Sequence, residues 1–259
     1  MLSTLASYRV MSVDMTSALQ RVSEQPLPAR EIEYYTQTIQ SIKTAEDFIN
    51  DDRLFSFAMQ AHGLSDMTYA KAFMAKVLEE GVNADDAFAN SLSDSRYQEF
   101  ADTFNFEAFG SAATSFTKAN EGTVQKYVRQ TLEEQAGDSN EGVRLALYFQ
   151  RKASDINTYL EILADPAISE VVRTALSIDS ATATLDLDKQ VALIASKLDL
   201  EDFQDPAKVE DFLETFTAIW DISNSPNNTA STAGLLFGNS AQFGIAEDVM
   251  LQIQQFRRS

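Results

Sequence analysis

The sequence predicts an all-α protein of about ten to twelve helices, with two similar helical modules around a central helix pair. Glycine and proline are scarce, at nine and five among 259 residues, whereas folds built from hairpins use both heavily at their turns. Apolar residues recur with the period of a helix after four separate aspartates. A pair of such patterns occurs in each half of the chain, which indicates an internal duplication. Seventeen phenylalanines and a hydrophobic content of 44% provide for a sizeable core.

The composition excludes several classes of protein. The net charge is −19 and cysteine is absent, so disulfides, thiolate metal sites and a cysteine nucleophile are ruled out. Nucleic-acid binding requires clustered Lys and Arg, and an anionic membrane surface attracts the same residues; neither partner is predicted. The chain shows no apolar run of membrane-spanning length and no secretory signal. We therefore expect a cytoplasmic protein, with export that needs no cleaved signal as the alternative.

The N-terminal segment, residues 1–44, is predicted to hold two helices, over 3–22 and 28–43. Pro26 and Pro28 separate them, because proline ends one helix and is favoured in the first turn of the next.

Four aspartates, Asp51, Asp94, Asp165 and Asp205, each precede an amphipathic run. After the first three, apolar residues follow at the third, sixth, seventh and tenth positions, which mark one helix face. Two of these aspartates open an Asp-Pro-Ala tripeptide. An N-cap aspartate accepts a hydrogen bond from a free backbone N–H, and proline suits the next position. We interpret all four as helix starts rather than as catalytic or metal-binding acids.

Each half of the chain carries a further amphipathic helix between its two aspartates. Its apolar residues in the first half are Ala70, Phe73, Met74, Val77 and Leu78, followed by Gly81 as a C-terminal cap. In the second half they are Leu187, Val191, Ile194, Ala195 and Leu198. The chain is thereby divided into N-terminal helices (1–44), module 1 (45–106), a central helix pair (107–159), module 2 (160–220) and a loop with a C-terminal helix (221–259), which together are predicted to form one compact domain.

The ends of the central and C-terminal helices are predicted from glycine and polar residues. In the central pair, Gly137 is predicted to end the first helix. The loop is placed at 222–240 and the last helix at about 241–257.

A search for catalytic and cofactor motifs finds none. There is no glycine-rich phosphate loop, no nucleophile elbow and no calcium-loop order of acids. The single histidine, His62, precedes Gly63 at a predicted helix end, where a partly positive imidazole complements the helix dipole; a general base is the less favoured reading. Carboxylates near Glu133 could hydrolyse a glycoside only if they were held across a cleft. No catalytic residue, cofactor or metal ligand is predicted.

Several stretches resemble an uncharacterised family of bacterial proteins that are often encoded in alphaproteobacterial flagellar gene clusters. The resemblance covers about residues 40–222, and the stretches that carry it are FSFAMQAHGLSDMTYAKAFMAKVLEEG, YVRQTLEEQAGDSNEGVRLALYFQRKA, LADPAISEVVRTALSI and LDLEDFQDPAKVEDFLETFTAIWD. The family has no assigned activity, so no site residues follow from it. It implies a setting in flagellar assembly or motility.

The leading hypothesis is a non-enzymatic structural or regulatory protein that binds a protein partner, such as a flagellar component, in a groove between helices. The interaction candidates are Tyr127, Arg129, Arg144 and Arg151, because Tyr and Arg are favoured at binding hot spots. A carboxylate-dependent hydrolase of a sugar polymer and a chaperone for an exported flagellar subunit are the alternatives. The sequence does not determine the oligomeric state.

Overall fold

The computed structural model describes residues 3–224, and every regular element among them is helical, with no strand. The all-α prediction is confirmed, and eleven of the helices have at least seven residues. The described helices are α1 (Thr4–Ser12), α2 (Met15–Ser23), α3 (Pro26–Thr38), α4 (Ala45–Asn50), α5 (Asp52–Ala61), α6 (Lys71–Glu80), α7 (Ser95–Thr103), α8 (Phe106–Phe109), α9 (Thr123–Ser139), α10 (Glu141–Lys152), α11 (Tyr159–Ala164), α12 (Pro166–Ala175), α13 (Leu187–Ala195) and α14 (Pro206–Asn224).

The helices at the two ends of the described chain differ from the prediction. The single helix expected over 3–22 is two helices, because the Asp14 side chain accepts the backbone N–H of Ser17 at 3.0 Å and starts a new one. The next helix begins at Pro26. At the other end α14 continues to Asn224, past the predicted start of the loop. The rest of that loop and the helix expected at 241–257 lie outside the described residues.

Modules 1 and 2 contain the same elements in the same order. Each has a six-residue helix, a ten-residue helix, a 3-10 turn, a further helix, a second 3-10 turn and a last helix. Module 1 runs from α4 to α7, with turns at Ser65–Met67 and Phe88–Ser91; module 2 runs from α11 to α14, with turns at Ser180–Thr184 and Leu200–Gln204. In each module the first helix packs against the second and third.

A tyrosine–aspartate hydrogen bond extends this duplication to the helix before each module. The Tyr34 hydroxyl on α3 donates to Asp51 Oδ2 at 2.7 Å, and the Tyr148 hydroxyl on α10 donates to Asp165 Oδ2 at 2.6 Å. Each tyrosine precedes its aspartate by 17 positions. The helices α3 and α10 also pack against equivalent partners, α5 and α12. Thus α10, which we predicted only as part of a central pair, corresponds to α3.

The four aspartates cap helices as predicted. Asp51 accepts the N–H of Leu54 at 2.9 Å, and Asp165 accepts that of Ile168 at 3.0 Å. Asp94 accepts the N–H of Arg96 at 3.0 Å, and Asp205 accepts that of Ala207 at 2.9 Å. Of the twelve apolar positions that follow the first three aspartates, all but Tyr97 are buried.

Asp165→Ala should lower the free energy of unfolding by about 1–2 kcal/mol, because it removes the cap and leaves the Tyr148 hydroxyl without its acceptor. Asp165→Asn keeps an acceptor for the helix and should lose less. Urea unfolding of the two variants and the wild type measures this difference. Equal stability of all three proteins would contradict the capping role.

The main described core is formed by buried residues of α2 to α9, and α9 packs closely against α5 and α2. Phe48 of α4 is fully buried and its ring contacts those of four other phenylalanines, Phe55, Phe100, Phe104 and Phe106. A boundary between two compact units falls between Ile219 and Trp220. The core described above belongs to the unit that ends at Ile219.

Two glycines explain how helices end and approach each other. Gly81 follows α6 with φ +60°, as expected of a cap. Gly137, by contrast, does not end its helix, since α9 continues to Ser139. A Cβ there would lie 2.7 Å from Arg144 Cδ, so this glycine permits the close approach of α10.

Candidate functional site

A buried carboxylate between two arginines joins α9 to α10. Glu133 is 2% exposed. Its Oε1 accepts hydrogen bonds from Arg129 Nε and Arg151 Nε, both at 2.8 Å, and its Oε2 accepts one from Arg151 Nη2 at 2.8 Å. A buried charge with this many charged donors is compensated locally. The cluster of Arg129, Glu133 and Arg151 is called the ion cluster below.

Arg129 connects the ion cluster to further elements. Its Nη2 donates to the backbone carbonyl of Leu147 at 2.6 Å, and its Nη1 lies 2.9 Å from the sulfur of Met15 on α2. Arg151 also lies over the ring of Tyr148, 5.1 Å from its centroid. The cluster thereby holds three helices, α2, α9 and α10, in register.

The other two interaction candidates also have partners within the chain. Tyr127 is 4% exposed, and its ring stacks on Phe57 with centroids 4.0 Å apart. Arg144 pairs with Glu141 on the same helix. All four candidates thus have partners within the chain, and Tyr127 is not accessible to a partner protein in this conformation. Their part in binding stays a prediction.

His62 is the one buried imidazole, and its setting differs from our expectation. Neither ring nitrogen has a hydrogen-bond partner, and the ring packs edge-on to Phe100 and Phe104 at 5.2 and 5.9 Å. Burial, assisted by the positive charge of Lys126, lowers the pKa of His62 to about 3. Our expectation of a partly positive imidazole at this helix end is therefore wrong. The expected stop is present, since the N–H of Leu64 donates to the Met59 carbonyl at 2.8 Å.

Two carboxylates, those of Glu99 and Asp102, line an open depression of about 440 Å³. Lys126 Nζ lies 2.7 Å from Glu99, and Lys118 Nζ lies 3.0 Å from Asp102. Burial alone would raise the pKa of Glu99, but the hydrogen bond and charge of Lys126 outweigh it and lower the pKa to about 2. A general acid needs the opposite shift, so the arrangement favours ion pairing over acid catalysis at Glu99.

Within residues 3–224, acidic and histidine side chains form no group of three that could hold a metal ion. In the same range, none of the helices combines the length and the apolar character that crossing a bilayer requires.

The third helix of module 2, α13, is much less covered than its counterpart in module 1. In α6 the apolar residues Met74, Val77 and Leu78 are fully buried and Phe73 is half-buried. In α13 only Ile194 is buried, while Leu187 is 53% exposed. The physical cause is the number of neighbours: α6 packs against α4, α7, α8 and the Phe88–Ser91 turn, whereas the described packing of α13 is chiefly with α11.

Two further leucines are exposed, one just before α13 and one on α11, which packs against it. Leu185 precedes α13 and is 42% exposed, and Leu160 on α11 is 52% exposed. Val191, one turn after Leu187, is half-buried. We call these four residues, Leu160, Leu185, Leu187 and Val191, the module 2 face. The sequence predicted α13 as an amphipathic helix, but the period of its apolar residues does not reveal how much of that side other elements cover.

The fold and this face define an internally duplicated all-α protein with an exposed apolar helix surface. A sequence profile described as "Protein of unknown function (DUF1217)" matches residues 61–209. The chain belongs to this family.

A solved structure agrees with the described fold. The chain is similar to protein AGR_C_984 from Agrobacterium tumefaciens, whose X-ray crystal structure was determined by the Northeast Structural Genomics Consortium. The two sequences are 48% identical, the alignment covers 86% of this chain and 97% of that one, and the TM-score is 0.78. No curated protein matches the chain.

Proposed function

We propose that the protein is a non-enzymatic structural or regulatory component that binds a protein partner through the module 2 face. The observation that carries this proposal is the exposure of Leu160, Leu185 and Leu187 on adjoining elements. Grouped apolar side chains of this kind are typical of binding surfaces, and apolar helix faces commonly receive a partner helix.

We further propose that it works in the cytoplasm in flagellar assembly or motility, with export to the flagellum as the alternative location. The support for this setting is the family resemblance in the stretches quoted above. The partner on this proposal is a flagellar component.

A paired experiment tests both parts. Deletion of the gene should impair swimming, and the wild-type chain should restore it. In a pull-down from cells, the wild-type chain should recover a flagellar protein, and Leu187→Asp should lose it. Val13→Asp is the matched control, because Val13, directly after α1, is 84% exposed and the substitution changes the charge equally. Normal swimming of the deletion strain together with no flagellar partner would exclude the proposal.

A further inference from the structure

We infer that the occupant of the module 2 face is an amphipathic helix of a partner protein with a leucine- or aromatic-rich side and a rim of Lys and Arg. This inference rests on the proposed function, and it adds the chemistry of the partner. Three observations carry it. They are the elements that cover α6 in module 1, the different packing of the Leu200–Gln204 turn in module 2, and the charges beside the exposed leucines.

Module 1 shows what kind of segment fits. Its α6 is covered in part by two short helical elements, α8 and the Phe88–Ser91 turn. Phe88 supplies an aromatic ring 5.1 Å from the ring of Phe73, and Lys76 Nζ lies 4.2 Å from the Phe88 centroid. The third helix of a module can therefore pack against a short helical segment that contributes a large apolar side chain.

In module 2 the counterpart of that turn packs elsewhere. Phe203, in the turn Leu200–Gln204, packs against Phe149 at 5.0 Å and Phe212 at 5.5 Å. Gln204 Nε2 donates to the Ser154 carbonyl at 3.1 Å. These contacts hold the turn beside α10, so it does not cover the start of α13.

The rim of the exposed face is acidic. Asp186 and Asp188 flank Leu187 directly, and the Asp186 side chain is 79% exposed. One lysine, Lys189, lies 2.9 Å from Asp186 and offsets part of this charge. In module 1 the same position at the start of α6 is Lys71, not an apolar residue. An apolar surface between exposed carboxylates favours a partner whose apolar side is bordered by cations.

Binding of synthetic peptides to the full-length protein tests the inference. The probe is a helical peptide of about 18 residues with leucines at positions i, i+3, i+4 and i+7 and lysines elsewhere. A second peptide has glutamate in place of lysine, and a third has the leucine–lysine composition in scrambled order. Fluorescence anisotropy at physiological salt should show binding of the first peptide at least about tenfold tighter than of the other two.

Two protein variants separate the apolar contact from general attraction to an acidic protein. Leu187→Asp should lower the affinity for the first peptide by about tenfold or more, although it adds a negative charge that would attract the lysines. Val13→Asp adds the same charge at an exposed residue that is not part of the face and should leave binding unchanged. Circular dichroism melting checks that both variants fold.

Four results would overturn the inference. The scrambled or glutamate peptide could bind as tightly as the first, or the two variants could behave alike. Alternatively, no peptide binds, while Leu187→Asp destabilises the full chain and makes residues 225–259 more sensitive to limited proteolysis; the chain's own C-terminal segment would then be the occupant. Finally, Leu187→Asp could lose the pulled-down partner while the leucine–lysine peptide does not bind the wild-type protein. That result would reject a cationic partner but keep the proposed function.

Discussion

Glu133→Ala should lower the free energy of unfolding by about 3–5 kcal/mol, which is the usual cost of removing one partner from a buried ion pair. Glu133 is 2% exposed and receives hydrogen bonds from both Arg129 and Arg151. Without its carboxylate, two guanidinium groups between α9 and α10 lose the charge that compensates them. Denaturation by urea, monitored by circular dichroism, measures the loss.

The neighbouring residue provides the matched control. The Glu134 carboxylate accepts hydrogen bonds from Gln60 Nε2 at 2.7 Å and Gln130 Nε2 at 3.2 Å, and both donors are neutral. Glu134→Ala should therefore cost about 1 kcal/mol. Similar losses in the two variants would show that the ion cluster has no special part in joining the helices.

Acidification should destabilise the protein through His62. The folded pKa is about 3, against an ordinary value of 6.5. As the pH falls below 6.5 the unfolded chain binds a proton at His62 that the folded chain does not, so unfolding becomes more favourable. Above pH 6.5 the imidazole is mainly neutral in both states, so its titration takes no stability from the fold. Below pH 6.5 the free energy of unfolding decreases by at most about 1.4 kcal/mol per pH unit.

The comparison with His62→Leu isolates this effect between pH 6.5 and 5. The pKa of Glu99 is lowered from 4.5, so the stability that this carboxylate contributes declines only at lower pH. Charged groups that influence the imidazole come from α7 (Glu99), α9 (Lys126) and α10 (Arg151 and Lys152). Wild-type stability, measured by urea titration at several pH values, should fall more steeply than that of His62→Leu. Parallel pH profiles would show that His62 is not the group responsible.

The sequence predicted the features that depend on neighbours along the chain. Asp51 and Asp165 cap helices because an N-cap needs only a carboxylate and the next few N–H groups. The repeated apolar spacing after them identified the two modules, since residues three and four positions apart share a helix face. The tyrosine partners of these aspartates were missed, although the pairs Tyr34–Asp51 and Tyr148–Asp165 recur at one spacing.

The candidate site was harder to predict because exposure depends on packing between distant segments. Arg129 and Tyr127 have the residue types of a binding hot spot, yet one pairs with a buried carboxylate and the other stacks in the core. Leu187 has the residue type and the spacing of a core position, yet it is half exposed.

The sequence by itself determined that the chain is helical, duplicated and capped by its aspartates, because hydrogen bonds and side-chain periodicity within a few residues fix these properties. Only the tertiary structure decided that His62 is neutral, that Glu133 joins two arginines, and that α13 has fewer neighbours than α6 among residues 3–224. Those properties depend on which surfaces meet, and equivalent helices in a duplicated chain can meet different neighbours.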